Sequence, residues 1–271
     1  MGRWEDMNPS VAVVLAAGKG TRMKSDLPKV LIEVCGRPMI DYVLDALAAG
    51  GVPRAIVVIG YQADLVRARL DGRPDIEFVL QAEQLGTGHA VMVCRDRLLG
   101  HDGPALVVAG DSPLMRSGSV AGLLAEYQRR PAACVLGTAY KANPAGLGRI
   151  IRNRRGDFQA IVEDRDATEE QLRITEVNMS YYVFQSNDLL GALGDLRPDN
   201  RQGEYYVTDV PGLLASRGKE VRAVPILKPC EALGINTSDE LALVEEEMKR
   251  ARSVDRGPWA VERSRPTPPD P

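Results

Sequence analysis

The stretch Val11-Ala-Val-Val-Leu-Ala-Ala-Gly-Lys-Gly-Thr-Arg-Met23, followed by Leu27-Pro-Lys-Val-Leu31, joins an apolar run to a basic, glycine-containing loop. Val11 to Leu15 is short, branched and uninterrupted by polar residues, which predicts a strand buried on both faces. The loop directly after it then lies at the carboxyl edge of a sheet, where open α/β folds bind their ligands. Its glycines let backbone N–H groups approach phosphate oxygens closely. Lys19, Arg22, Lys24 and Lys29 add four cations within eleven residues. Two common phosphate-binding fingerprints fail here. Met23 stands where a dinucleotide fold needs its third glycine, and no Gly-Lys-Ser/Thr occurs at P-loop spacing.

Outward from this stretch, strand and helix signals alternate. Pro38 opens a helix whose apolar face is Met39, Ile40, Val43, Leu44 and Leu47, and Gly50-Gly51 ends it. Ala55–Ile59, Ile76–Leu80, Ala105–Ala109 and Ala133–Ala139 read as strands. Ala63–Leu70, Gly88–Leu99 and Ser119–Arg130 read as helices. The alternation predicts an α/β fold with βαβ units and a mainly parallel sheet covered on both faces. Beyond residue 140 the pattern changes. Arg149–Arg152 and Phe158–Val162 flank Arg154-Arg155-Gly156-Asp157 as a hairpin. A strand follows at Val177–Phe184, then helices near Asp188–Leu196, Asp209–Ala215 and Glu240–Arg252. From Ser253 onward proline and arginine dominate, which predicts a disordered tail over 253–271.

The 271 residues carry a formal net charge of −3, which argues against binding nucleic acid through bulk positive charge. Only two histidines occur, His89 and His101, so a multi-histidine metal centre is excluded and a histidine triad is disfavoured. Cys35, Cys94, Cys134 and Cys230 are far apart and read as small buried hydrophobes in a reducing compartment. No apolar run approaches the roughly 20 residues that span a bilayer. Residues 2–9 lack the apolar stretch of a secretory signal. A cytoplasmic protein without membrane or nucleic-acid partners is the expectation.

Further motifs follow in order: Gln81-Ala-Glu-Gln-Leu-Gly-Thr-Gly-His89, Gly110-Asp-Ser-Pro-Leu114, Gly148-Arg-Ile150, Ile161-Val-Glu-Asp-Arg-Asp-Ala-Thr168, Gln202-Gly-Glu-Tyr-Tyr-Val-Thr-Asp209 and Gly234-Ile-Asn236. On their own residues, several have plain structural explanations. Asp111 could cap the next turn, and Gln81 could be a surface residue. Glu163 could pair with Arg165 or Arg149. Asn236 could be a turn residue ahead of a helix capped by Ser238. His89 could simply pack.

Taken together with the first loop, these motifs resemble the uridyltransferase domain of the bifunctional N-acetylglucosamine-1-phosphate uridyltransferases. The resemblance runs from about Val11 to Leu243. It implies a Rossmann-like nucleotidyltransferase fold with a mixed, mainly parallel sheet and helices on both faces. It places one nucleotidyltransferase domain over 8–252, with a nucleotide-binding half to about 140 and a sugar-binding half over about 141–252. It implies that the backbone at Leu15, Ala16, Ala17 and Gly18 holds the nucleotide, and that Arg22 and Lys29 face the triphosphate. Gln81, with Gly86 and Thr87, then reads uracil and fixes the nucleoside. Asp111 and Asn236 bind Mg²⁺, and Gly148, Glu163 and Asn178 contact the amino sugar. The chemistry is compatible. A glutamine amide can match both the donor and the acceptor of a uracil edge. One Asp and one Asn oxygen are sufficient for Mg²⁺, which keeps waters and phosphate oxygens as its other ligands.

The implied reaction is Mg²⁺-dependent, in-line uridylyl transfer from UTP to N-acetyl-α-D-glucosamine 1-phosphate, by a monomer or weak oligomer. The resembled family continues into hexapeptide repeats that transfer acetyl groups. Those repeats do not occur in these residues, so acetyl transfer is not expected. Asn178-Met-Ser-Tyr181 departs from the family's usual Asn-Thr-Gly-Ile, and Ala109 stands where some members have tyrosine. The alternatives are a nucleotidyltransferase for another sugar or polyol phosphate, or a silent sugar-nucleotide-binding regulator.

Overall fold

A computed structural model describes residues 9–20, 23 and 25–254. In chain order the elements are β1 (Val11–Ala16), β2 (Glu33–Val34), β3 (Arg37–Pro38), α1 (Met39–Ala49), β4 (Arg54–Ile59), α2 (Ala63–Leu70), β5 (Ile76–Leu80), α3 (Thr87–Met92), α4 (Arg95–Leu98) and β6 (Pro104–Ala109). Then come α5 (Ser117–Arg129), β7 (Cys134–Tyr140), β8 (Arg149–Arg152), β9 (Phe158–Val162), α6 (Glu169–Leu172), β10 (Glu176–Gln185), α7 (Ser186–Leu193), α8 (Asp209–Ser216), β11 (Val221–Val224) and α9 (Ser238–Val254).

One sheet runs in the order β11-β7-β10-β6-β1-β4-β5, with the β8–β9 hairpin attached to β10. β1 pairs in parallel with both β4 and β6. β10 is antiparallel to β6 and β7, which makes the sheet mixed. The strand order turns at β1: β4 and β5 lie on one side of it, and β6 on the other. A crevice at the carboxyl end of β1 is the place where such topology binds ligands. β10 comes from the second half of the chain yet lies between two strands of the first, so the two halves read in the sequence share one sheet.

The reason β1 carries no polar residue is visible in its packing. Ala12, Val14 and Ala16 enter one core with Val43, Leu47, Val66 and Val120 of α1, α2 and α5. Val11 and Val13 enter the other core with Val91, Leu98, Leu189 and Leu214 of α3, α4, α7 and α8. Helices therefore cover both faces. A third, smaller cluster of Ile32, Val34, Met39, Tyr42, Ile235, Val244 and Met248 holds α9 against the β2–β3 ribbon.

Most elements fall where periodicity places them. One does not: the single helix expected over Gly88–Leu99 is two, α3 and α4. At the break the Cys94 amide donates to the Val91 carbonyl, three residues back, which tightens the turn. The Cys94 thiol also donates to Ala90. β11 and α6 carried too little pattern to be read, being four residues each. α9 runs to Val254, so it takes the first two residues of the expected tail. The rest of that tail lies outside the described residues. Among the described residues no helix is long and apolar enough to cross a membrane.

Candidate active site

The crevice at the carboxyl ends of β1, β5 and β6 is a cleft of about 450 Å³. Leu15, Ala17 and Gly18 line it from the end of β1, and Asp111 lines it from just beyond β6. Ala16 points into the core at 1% exposure, so only its backbone is available there. The loop then doubles back: the Lys29 amide donates to the Gly18 carbonyl at 3.2 Å. Gly20, at φ +68°, makes this possible, because a Cβ there would stand 2.8 Å from Lys29 Cβ. Lys29 opens a single turn of 3-10 helix and aims its ammonium into the cleft. Arg22, the other cation expected on the triphosphate, lies outside the described residues.

Lys29 Nζ stands 2.6 Å from Asp111 Oδ2 and 3.1 Å from Asn236 Oδ1. Residues 207 positions apart in sequence, Lys29 and Asn236, thus meet at one point. Asp111 departs from its plain structural alternative, whereas Asn236 does stand in the bend ahead of a helix cap. Asp111 is paired with Lys29, while α5 begins later, after Arg116. α9 is capped by Thr237 rather than Ser238, since the Glu240 amide donates to Thr237 Oγ1. Glu240 in turn accepts from the Asn236 amide at 2.6 Å, which holds the asparagine's backbone in place. Two hard oxygens aimed at one cation-sized point also suit a divalent ion, whose remaining positions phosphate oxygens and water would fill.

Gln81 follows β5 and is 3% exposed, so it is no surface residue. Its Nε2 stands 3.1 Å from the Gly86 carbonyl and 3.1 Å from His89 Nδ1. Both amide hydrogens are therefore engaged within the protein. Among the described residues nothing donates to Gln81 Oε1, which leaves that oxygen as its acceptor toward the cleft. Gly86 and Thr87 line the cleft and also close it. The Tyr205 amide donates to Leu85, the Gly88 amide donates to Tyr205, and the Val207 amide donates to Thr87 Oγ1. This clasp joins the loop after β5 to the segment before α8. Gly86 has φ +109°, and a Cβ there would lie 2.5 Å from the Tyr205 carbonyl oxygen. Gly86→Ala is expected to cost roughly 2 kcal/mol or more, read by urea denaturation. A loss below about 0.5 kcal/mol would place it among ordinary surface changes and contradict the clasp.

Gly148, Glu163 and Asn178 form a second group. Glu163 lines the cleft, whereas Gly148 and Asn178 do not. The Asn178 amide donates to the Gly148 carbonyl at 2.8 Å. A Cβ on Gly148 would lie 3.5 Å from both Asn178 Cβ and Glu163 Oε1. Asn178 Oδ1 accepts from Tyr182 Oη at 3.0 Å and from the Ser180 amide at 3.2 Å, so its Nδ2 is left to donate. The sheet register shifts between Asn178 and Tyr181, and Ser180 sits at φ +56°. That is the position where the resembled family commonly has glycine, the residue that adopts this conformation most easily. Glu163 does not take either arginine proposed for it: Arg149 pairs with Asp164 and Arg165 with Gln202. Burial raises the Glu163 carboxyl above its ordinary value. The Thr208 hydroxyl pulls the other way, and Asp209, Asp166 and Asp164 reinforce the rise.

Gln84, Ser180, Gln202, Glu204, Tyr206 and Thr208 also line the cleft, with no role assigned to them from sequence. Four of these fall in the Gln202–Asp209 motif, so their position in a motif was the available signal. Among the described residues no three carboxylate, histidine or cysteine side chains surround one point.

Residues 12–204 match the MobA-like NTP transferase domain. The chain belongs to the MobA-like NTP transferase family. Within that family's broader company, it is 45% identical over 239 residues to the bifunctional protein GlmU of Pelotomaculum thermopropionicum, covering 88% of this chain and 52% of that protein. It is 43% identical over 244 residues to GlmU of Streptococcus suis, covering 90% and 53%. The chain thus spans about half the length of the curated relatives it matches. Among solved structures, a UDP-glucose pyrophosphorylase bound to UDP-glucose superposes with a TM-score of 0.71 at 16% identity, over 90% of this chain and 100% of that one. A glucose-1-phosphate thymidylyltransferase from Bacillus anthracis gives 0.71 at 18% identity, over 92% and 98%. At these identities the two superpositions establish the fold alone. The NTP transferase fold is the mixed α/β architecture expected from the sequence.

Proposed function

We propose that this chain transfers a uridylyl group from UTP to N-acetyl-α-D-glucosamine 1-phosphate, giving UDP-N-acetylglucosamine and pyrophosphate. The observation that carries the reading is the convergence of Lys29, Asp111 and Asn236 at the carboxyl edge of β1 and β6. The similarity to GlmU over most of the chain supports the choice of substrates. The nucleophile is a sugar-phosphate oxygen already ionised at neutral pH, so no general base is required. The obstacle is electrostatic. Two unit charges about 4 Å apart repel by about 4 kcal/mol at an effective dielectric near 20, and two polyanions contribute several such terms. Lys29 and Arg22 offset this repulsion along the triphosphate. Asp111 and Asn236 would hold Mg²⁺, which when bound supplies positive charge to the reacting phosphates and the leaving pyrophosphate. The Leu15–Gly18 backbone, with Gly86 and Thr87, holds the nucleoside. Gln81 accepts from the base. Gly148, Glu163 and Asn178 hold the amino sugar for in-line attack. The whole unit over 8–252 then acts as one nucleotidyltransferase. Its unbridged cysteines support a reducing, cytoplasmic setting.

The test is pyrophosphate release with UTP, Mg²⁺ and N-acetylglucosamine 1-phosphate, beside reactions with glucose 1-phosphate, glucosamine 1-phosphate or CTP. Release that requires UTP and the N-acetylated sugar together supports the proposal. Release with none of the pairs defeats it.

The raised Glu163 carboxyl gives a pH dependence of definite sign. As a carboxylate it accepts hydrogen bonds from sugar hydroxyls, and as an acid it loses that capacity. Because burial lifts it above 4.5, the loss begins at a higher pH than for an exposed glutamate. The KM for the sugar phosphate should rise as pH falls through that range, while the KM for UTP stays flatter. Glu163→Gln should remove this dependence. An unchanged profile in that variant would assign the titration to another group.

A further inference from the structure

The geometry around Gln81 assigns a task to a residue with no role in the reaction itself. Gln81 lines the cleft, yet its amide is held from behind. A peptide carbonyl can only accept, so the atom 3.1 Å from the Gly86 oxygen must be the amide nitrogen. That same nitrogen stands 3.1 Å from His89 Nδ1. With one amide hydrogen on Gly86, the second points at Nδ1. The ring nitrogen must then be the unprotonated acceptor, with the imidazole hydrogen on Nε2. No described residue donates to Gln81 Oε1.

We propose that His89 is a positioning residue for nucleobase choice, fixing the Gln81 amide so that the cleft meets only a hydrogen-bond acceptor. The proposal rests on the reading above that Gln81 faces the base. Uracil presents an N3–H donor to such an acceptor. Cytosine presents a bare N3 lone pair at the same position, and two acceptors repel. Without His89 only the Gly86 carbonyl would oppose a half-turn of the last torsion, which gives up that bond and brings the Nε2 hydrogens to the cleft, where cytosine N3 can take one. His89 thus acts by removing a donor from the site. His89 sits on the first full turn of α3, two residues beyond the Thr87 that the clasp engages, so its ring is placed by the same local fold.

The test compares kcat/KM for UTP and CTP in the wild-type chain, His89→Leu and His89→Asn. Leucine fills space but accepts nothing, whereas the asparagine oxygen can stand in for Nδ1. The ratio of UTP to CTP is expected to fall at least about tenfold in His89→Leu and to recover in His89→Asn. The KM for the sugar phosphate should stay within about twofold in both, which general loosening of the fold would not give. An unchanged ratio in a folded His89→Leu protein overturns the role of His89 alone. A wild-type chain that uses UTP and CTP equally defeats the reading of Gln81 itself. Nitrogen-15 NMR of the wild-type protein gives an independent readout that needs no variant. A hydrogen on His89 Nε2 with a bare Nδ1 supports the assignment, and a hydrogen on Nδ1 overturns it.

Discussion

Replacing Asp111 with asparagine is expected to lower pyrophosphate release by on the order of 10³-fold, the scale of removing one charged element from a preorganised electrostatic site. The substitution conserves shape, so steric disturbance is small and the change is one of charge. Asp111 is the only anionic partner that Lys29 has among the described residues, at 2.6 Å, and Asn236 supplies a neutral oxygen at 3.1 Å. Without the carboxylate, the point where the two oxygens converge loses its one negative charge. A divalent ion would then bind there chiefly through what the triphosphate brings. Raising Mg²⁺ should recover only part of the rate. The measurement is steady-state pyrophosphate release across a Mg²⁺ titration, with thermal unfolding as the control for folding. A variant that turns over at near-normal rates would show that Asp111 serves only to hold Lys29.

Replacing Glu231 with alanine is expected to lower stability by about 3–5 kcal/mol, the cost of leaving several buried hydrogen-bond donors unmet. Glu231 is 3% exposed. Its oxygens accept from the Arg116 amide at 3.1 Å, Ser119 Oγ at 2.6 Å, Tyr181 Oη at 3.2 Å and the Lys228 amide at 2.9 Å. No cationic side chain is bonded to it among the described residues. Arg116, the N-cap of α5, and Ser119 in its first turn supply two of the donors, at the favourable end of the helix dipole. Alanine would leave two buried hydroxyl donors, on Ser119 and Tyr181, and two partly buried amides without this acceptor, and each unmet buried group costs about 1–3 kcal/mol before relaxation. Against a typical total of about 5–15 kcal/mol, that is a large share. Glu231→Gln keeps one acceptor oxygen and should cost less. The consequence should reach the site. Glu231 anchors the turn that leads through the fully buried Ala232 and Ile235 to Asn236. The apparent Mg²⁺ requirement should therefore rise in Glu231→Gln. Urea unfolding measures the first effect and a Mg²⁺ titration of activity the second. A stability loss under about 1 kcal/mol in Glu231→Ala, smaller than one unmet buried hydrogen bond, would show that water satisfies these donors.

Much of the local structure was readable because its cause is local. Val11–Ala16 had to be a doubly buried strand, since no face of it tolerates water. Met39–Ala49 had to be a helix, since its apolar positions recur with a helical period and its ends carry proline and glycine. The β8–β9 hairpin was marked by its turn. What failed were cases where a neighbour outside the window decides. The break between α3 and α4 depends on how Cys94 is buried against Ala90. β11 is only four residues long and acquires its strand character by pairing with β7.

The same division holds for the candidate site. By itself, and apart from the resemblance that named candidates for a base and a sugar, the sequence determined the α/β class and marked the basic loop after β1 as a candidate place for an anion. These follow from side-chain chemistry and from short-range backbone preferences, both of which a linear string contains. Only the tertiary structure decided that Lys29, Asp111 and Asn236 share one point, that Gly86 is required by the Tyr205 carbonyl, and that Gln81 has spent its donors on Gly86 and His89. Those facts depend on how strands order themselves about β1 and on which buried polar groups must find partners. Distance along the chain carries no information about either.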